Sequence, residues 1–165
     1  MSEEHKCHAL KNVRCAVLTI SDSRTEETDD SGKLIKELLE ENGHLVVEYR
    51  ILKDEMEDIK SAVAGLLDSD VQAIITNGGT GISKRDVTVE SVSGLLDKTL
   101  DGFGDLFRML SYEEVGSRAM MSRVFAGTTK GKIVICMPGS MDAVALGMKR
   151  LVIPELGHMV WEANR

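Results

Sequence analysis

Val71-Gln72-Ala73-Ile74-Ile75-Thr76-Asn77-Gly78-Gly79-Thr80-Gly81 is an apolar, β-rich run that breaks abruptly into glycine. Residues 71–76 have the length and character of a strand buried on both faces, as parallel strands are. Three glycines within the four residues 78–81 then stop it. Upstream, Val13–Ile20 is a second such run, closed by Ser21-Asp22-Ser23. Between the two runs, Leu34, Ile35, Leu38 and Leu39 recur at helical spacing until Asn42-Gly43, a C-cap pattern. His44–Leu52 is a third apolar run. Asp54 follows where an N-cap belongs, ahead of Met56, Ile59, Val63, Leu66 and Leu67 at a 3.6-residue period. The order is therefore βαβαβ, with a further helix predicted over 88–96.

Beyond the glycines, Phe103, Leu106, Phe107 and Leu110 mark one stripe of a helix that should end near Val115-Gly116, with a shorter helical piece over 118–121. Residues 122–129 and 132–137 flank Lys130-Gly131 and predict a hairpin. Met141, Val144, Ala145, Met148, Leu151 and Val152 give a last amphipathic helix, which Pro154 should cap or kink before 156–161. Helices interleaved with apolar strands predict a doubly wound α/β sandwich whose sheet is mostly parallel, with one antiparallel strand.

At 165 residues the chain fits one domain, read as 13–165, with residues 1–12 expected to be a disordered tail. Acidic residues (27) outnumber Lys plus Arg (20), and the net charge of -7 disfavours general nucleic-acid binding while leaving room for a local phosphate pocket. Aromatics at 4% make a base-stacking platform a poor expectation. Three cysteines without a C-x-x-C speak against a disulfide scaffold and for a reducing compartment. No apolar stretch reaches membrane-spanning length and residues 1–11 carry no signal-like core, so a cytoplasmic protein is expected. His5-Lys6-Cys7-His8 invites a metal reading, but lacks a second ligand pair in a terminus expected to fray.

Ligands of open α/β sheets bind beyond the carboxyl ends of the strands. Three loops fall there: residues 21–24, 77–86 and 138–140. Asn77, Gly78, Gly79, Thr80 and Gly81 form the sharpest of them, because glycines let backbone N–H groups approach a phosphate closely. No Gly-Lys-Ser/Thr follows and the spacing is not G-x-G-x-x-G, which weakens the P-loop and dinucleotide readings. Asp86 lies just past the loop and suits a magnesium ion, which takes one or two carboxylates plus phosphate oxygens. Asp54, at the end of the second strand, reads from the sequence as an N-cap. Asp22, with Ser23 beside it, either hydrogen-bonds a ligand or the glycine loops or only forms its own turn. Ser140, after Pro138-Gly139, either holds a phosphate or only caps the last helix. Arg108, Arg118 and Arg123 are candidates for holding anions, and Lys84 and Arg85 lie nearer the loop in sequence.

The run Thr76–Thr88, with Ser21-Asp22-Ser23 upstream and Met137-Pro138-Gly139-Ser140 downstream, resembles the MoaB/Mog family of molybdenum-cofactor biosynthesis. The resemblance covers about residues 13–156, and the stretch from Phe103-Gly104-Asp105-Leu106-Phe107-Arg108 through Ser122-Arg123 is similar to the MoaB branch in particular. It implies a three-layer α/β/α fold, trimers or hexamers, and adenylylation of molybdopterin by Mg-ATP to molybdopterin-AMP and pyrophosphate, ahead of a MoeA-type molybdenum insertase. It also implies that Asp86 and Asp54 are the catalytic, metal-holding acids. Such a transfer needs positioning, a metal and cationic stabilisation rather than a protein nucleophile. A carrier that holds molybdopterin without adenylylating it is the alternative, since a fold does not guarantee catalysis. A nucleotide hydrolase is a weaker one, through the similar CinA-type amino-terminal domain. The sequence departs from the family pattern at Val89, commonly Pro, which bears on the stiffness of the helix start.

Overall fold

In a computed structural model, described here for residues 9–165, a six-stranded sheet lies between two helical layers. The elements are β1 (Arg14–Ile20), α1 (Asp30–Glu41), β2 (Leu45–Leu52), α2 (Met56–Leu67), β3 (Ala73–Asn77), α3 (Thr88–Val92) with a 3-10 turn over Ser93–Leu95, β4 (Lys98–Thr99), α4 (Asp101–Val115), a 3-10 segment over Gly116–Met121, β5 (Phe125–Thr129), β6 (Lys132–Met137), α5 (Met141–Gly147), a π-helical turn over Met148–Val152, and α6 (Ile153–Ala163). Met1–His8, and with them the His5–His8 cluster, lie outside the described residues. The sequence placed 1–12 outside the fold; Leu10 N–H nevertheless donates to Gly157 O at 3.2 Å.

The strand order is β2-β1-β3-β6-β5-β4. β2, β1, β3 and β6 are parallel, and β5 runs antiparallel to both its neighbours. This is the mostly parallel, doubly wound sheet that the sequence predicts, its antiparallel member being the first strand of the 122–137 hairpin. Strand periodicity then divides the core in two. Cys15, Val17, Ala73, Ile75, Ile133, Ile135 and Met137 point to the layer of α1, α4, α5 and α6, where Ile35, Leu39, Phe107, Val144 and Leu156 meet them. Ala16, Leu18, Ile20, Ile74, Val134 and Cys136 point to the opposite layer, against Ile59, Val63, Leu66 and Val92 of α2 and α3. The central strands β1, β3 and β6 are buried on both faces, which is why they read as unbroken apolar runs rather than as alternation.

Three local features differ from the sequence reading. Asp54 is not the cap of α2: Glu55 holds that position, with no side-chain cap bond. At the start of α1, Asp29 is the working N-cap, accepting from Gly32 N. The last helix does not simply stop or kink at Pro154. It widens into the π-helical turn immediately before it, a register that accommodates the missing N–H of proline and the crowding of its ring against the preceding turn.

Candidate functional site

Parallel strands end on one edge of a sheet, so the loops after β1, β2, β3 and β6 are brought together there. The glycine loop is the middle of this cluster. Gly78 and Gly79 have φ of 100° and 68°, in the left-handed region. A Cβ at Gly78 would lie 2.2 Å from Ile20 O, the last carbonyl of β1, and Gly139 packs against Gly78 so closely that its own Cβ would stand 3.3 Å from the Gly78 Cα. Three strand ends therefore meet at a point where only backbone fits. Thr88 fastens the far side: its hydroxyl donates to Gly78 O at 2.9 Å and its N–H to Gly79 O at 3.0 Å. The start of α3 is thus tied to the loop despite Val89.

Two carboxylates flank this loop. A Cβ at Gly79 would stand 3.2 Å from Asp54 Oδ1, and one at Gly81 would stand 2.8 Å from Asp86 Oδ2. Asp86 accepts from Ser83 N at 2.8 Å. Its partial burial opposes ionisation, but the hydrogen bonds from Ser83 and from Gly81 N–H, with Arg123 near by, hold its carboxyl below the ordinary range. Asp54 goes the other way: burial, then the negative charge of Asp22 and, more weakly, of Asp86, push it up against the attraction of Arg85. Three acids thus share one neighbourhood.

Asp22 is exposed and is not spent on its own turn. Ser21 Oγ does that work, accepting from the N–H groups of Ser23 (3.3 Å) and Arg24 (3.2 Å). Asp22 Oδ1 instead accepts from Asp54 N at 3.1 Å, and Oδ2 from Arg85 Nε at 3.0 Å and Nη2 at 2.8 Å. Arg85, first among its causes, holds the Asp22 carboxyl below its usual range. Ser23 lies exposed beside it, and Lys84 is exposed on the loop.

Other predicted residues take supporting positions. Asn77 is fully buried; its Nδ2 donates to Thr19 Oγ1 and its Oδ1 accepts from Ser31 Oγ, both at 2.9 Å, so it shapes the loop from below. Thr80 is also buried. Ser140 is the N-cap of α5, receiving Ala143 N at 3.4 Å. A cleft of about 310 Å³ is lined by Thr80, Gly81, Pro138 and Ser140 together with Arg118 and Ser122. Arg118, not Arg108, is the arginine that lines it. Arg108 turns to Asp105 (3.2 Å) and lies beside Gly104 and Val124, under the antiparallel end of the sheet. A larger cavity, about 510 Å³, opens around Lys130-Gly131 and α6, at the amino end of β6 and away from all these groups.

The sequence reading missed a polar network beneath the loops. Asp29 is fully buried and accepts from Thr19 Oγ1 and Tyr49 Oη, each at 2.6 Å, on Oδ2 and from Gly32 N (3.1 Å) and Arg24 Nη1 (3.3 Å) on Oδ1. Arg24 Nη2 also donates to Gly139 O at 2.9 Å and Nη1 contacts Ser31, which joins the first and third loops. The only hint in the sequence was Asp29 preceding Ser31-Gly32, an N-cap pattern that the neighbouring Asp30 obscures.

Residues 16–158 match the family described as "probable molybdopterin binding domain". The chain belongs to the MoaB/Mog family of molybdenum cofactor biosynthesis proteins. Within this family it is 58% identical over 164 residues to molybdenum cofactor biosynthesis protein B of Bacillus cereus, covering 98% of this chain and 97% of that one. A crystal structure of a molybdenum cofactor biosynthesis protein B superposes with a TM-score of 0.90 at 57% identity, over 94% of this chain and 98% of the other. The tungsten cofactor synthesizing protein MoaB of Pyrococcus furiosus superposes at 0.83 and 37% identity, over 95% and 100%. The resemblance carried by the Thr76–Thr88 run and its two companion motifs is thereby borne out, as is the family's α/β/α fold. No helix among the described residues is long and apolar enough to cross a membrane.

Proposed function

We propose that this MoaB/Mog family member acts in molybdenum cofactor biosynthesis as a molybdopterin adenylyltransferase, joining molybdopterin to the adenylyl group of ATP and releasing pyrophosphate. The observation that carries this reading is the placement of Asp54 and Asp86 on either side of a glycine loop at the carboxyl edge of the parallel strands. The reaction leaves little covalent work for the protein; what it requires is alignment of an attacking oxygen with phosphorus and relief of negative charge.

Magnesium fits the acids present. Among the described residues no cluster of three or more His, Cys, Asp or Glu is arranged to hold a metal ion unaided. Magnesium does not need one, since it is bound through one or two carboxylates with phosphates and water completing the shell. Burial, and after it the charges of Asp22 and Asp86, push Asp54 up, and a divalent cation beside it would oppose that push. Asp86, already held in its ionised form, and Asp54 would be the residues that hold it. When bound, the ion would supply charge neutralisation at the phosphates.

The protein's own groups would do the rest. Backbone N–H groups of Gly79 and Thr80 would donate to phosphate oxygens, while that of Gly81 is already taken up by Asp86. Arg85 and Lys84 would supply positive charge locally in a chain that is negative overall. Pro138–Ser140 and Arg118 would border the second substrate in the 310 Å³ cleft. In the family's reaction order, a MoeA-type insertase would consume the product, and the chain would work as a homo-oligomer.

The test is molybdopterin-dependent pyrophosphate release from Mg-ATP, with the mass of the pterin product determined. Release with formation of molybdopterin-AMP supports the transferase. Pterin binding without release would make the protein a carrier.

A further inference from the structure

Arg123 was a candidate for binding an anion, but its donors are already committed to the glycine loop. Its main-chain N–H donates to Thr80 O at 3.2 Å, Nε to Gly81 O at 2.8 Å, and Nη2 to Asp86 O at 3.1 Å. The remaining Nη1 is paired with Glu90 on α3, which Nη2 also reaches at 3.4 Å. One residue thus grips the loop at its beginning, Thr80-Gly81, and at its end, Asp86. The interval between them carries the Asp86 carboxylate and the Ser83 N–H that orients it.

Carbonyl oxygens facing a phosphate site would repel it, whereas N–H groups attract it. Satisfying the Gly81 and Asp86 carbonyls from the Arg123 side fixes the direction in which these peptides lie. The planar guanidinium is suited to this because its donors are set in a rigid fork, which a lysine cannot reproduce. Glu90 keeps the fork in orientation. Its carboxyl is held below the usual range chiefly by the Arg123 hydrogen bond, so the pair is charged around neutral pH. Arg123 also follows the 3-10 segment that carries Arg118, and so ties that segment to the glycine loop, both of which line the 310 Å³ cleft.

We infer that Arg123, oriented by Glu90, is the positioning residue that sets the glycine loop and Asp86 for reaction, and that it does not itself bind the substrate's phosphates. This deepens the proposed adenylyl transfer and rests on it. The same grip predicts a local signature that exists without substrate: the Ser83 N–H should be protected from exchange as long as the fork is intact.

The experiment compares wild type, Arg123→Lys and Glu90→Gln by amide hydrogen exchange of residues 80–86 without ligand, and by kcat and KM for ATP in the pyrophosphate assay. Arg123→Lys keeps the charge but loses the fork. It should speed exchange at Ser83 by about tenfold or more while β1 and β3 amides are unchanged, as expected when a local opening rather than global unfolding is eased. Its kcat should fall about 10- to 100-fold, the scale of a small misplacement, with KM for ATP within about threefold. Glu90→Gln, at an exposed position that does not threaten folding, should move both quantities in the same direction by less. Unchanged exchange at Ser83 in both variants would overturn the inference, as would a large rise in KM with kcat retained, the mark of a phosphate ligand. If wild type itself released no pyrophosphate, the transferase reading would fail while the exchange data would still decide whether the grip exists.

Discussion

Arg85 places Nε and Nη2 on a single oxygen of Asp22, at 3.0 and 2.8 Å, while the other oxygen of Asp22 receives Asp54 N at 3.1 Å. One exposed carboxylate therefore links the end of β1 to the end of β2 and to the glycine loop. Arg85 is the positive neighbour that lowers both Asp22 and Asp54. Replacing it with alanine should raise both, so these acids would ionise only at higher pH. In Arg85→Ala the acidic limb of the pyrophosphate-release profile is expected to move toward neutral pH; a profile superimposable on wild type would show that neither acid controls it.

Gly78 should tolerate no side chain. Its φ of 100° strains any L-residue, and a Cβ would lie 2.2 Å from the Ile20 carbonyl, part of the backbone of a buried strand. Gly78→Ala is expected to lose about 2–4 kcal/mol by denaturant unfolding, combining strained dihedrals with overpacking. Gly81 is different, because its Cβ would meet the movable carboxylate of Asp86 at 2.8 Å. Gly81→Ala should fold with nearly wild-type stability and lose at least about tenfold in turnover, reporting on Asp86 rather than on the fold.

Asp29 gives a stability test independent of any substrate. Both its oxygens accept hydrogen bonds, so an asparagine would turn its amide toward two donors. Asp29→Asn is expected to cost about 2–4 kcal/mol. Burial pushes this carboxyl up, but the bonds from Thr19, Tyr49, Gly32 and Arg24 outweigh it and leave the folded-state pKa below the ordinary value. Its contribution is therefore fully present above about pH 4 and is lost as pH falls through the lower, folded-state value. Between those pH values, the unfolding free energy of Asp29→Asn should fall less steeply with acidification than that of wild type.

The sheet was legible because β1, β3 and β6 are buried on both faces and so stand out as apolar runs, each closed by Ser-Asp-Ser, Asn-Gly-Gly or Pro-Gly-Ser. β4 was not, because two exposed residues form no pattern. Glycines near strand ends pointed to the loop cluster, and the structure gathers Asp22, Asp54, Arg85 and Asp86 around it. What sequence could not show was direction. Nothing in a helix stripe tells that Arg108 faces Asp105 while Arg118 faces the cleft, or that Arg123 is taken up by loop carbonyls. Asn77 read as a ligand-binding residue from its place in the motif, yet complete burial commits its side chain to Thr19 and Ser31.

The central claim is that Asp86 serves adenylyl transfer to molybdopterin. Its most direct test is molybdopterin-dependent pyrophosphate release from Mg-ATP by wild type beside Asp86→Asn, with pterin binding measured on both. The account predicts release with a molybdopterin-AMP product by wild type, and a loss of about 100-fold or more in the variant with pterin still bound. Undiminished release by Asp86→Asn, or pterin binding by wild type with no release, would contradict it.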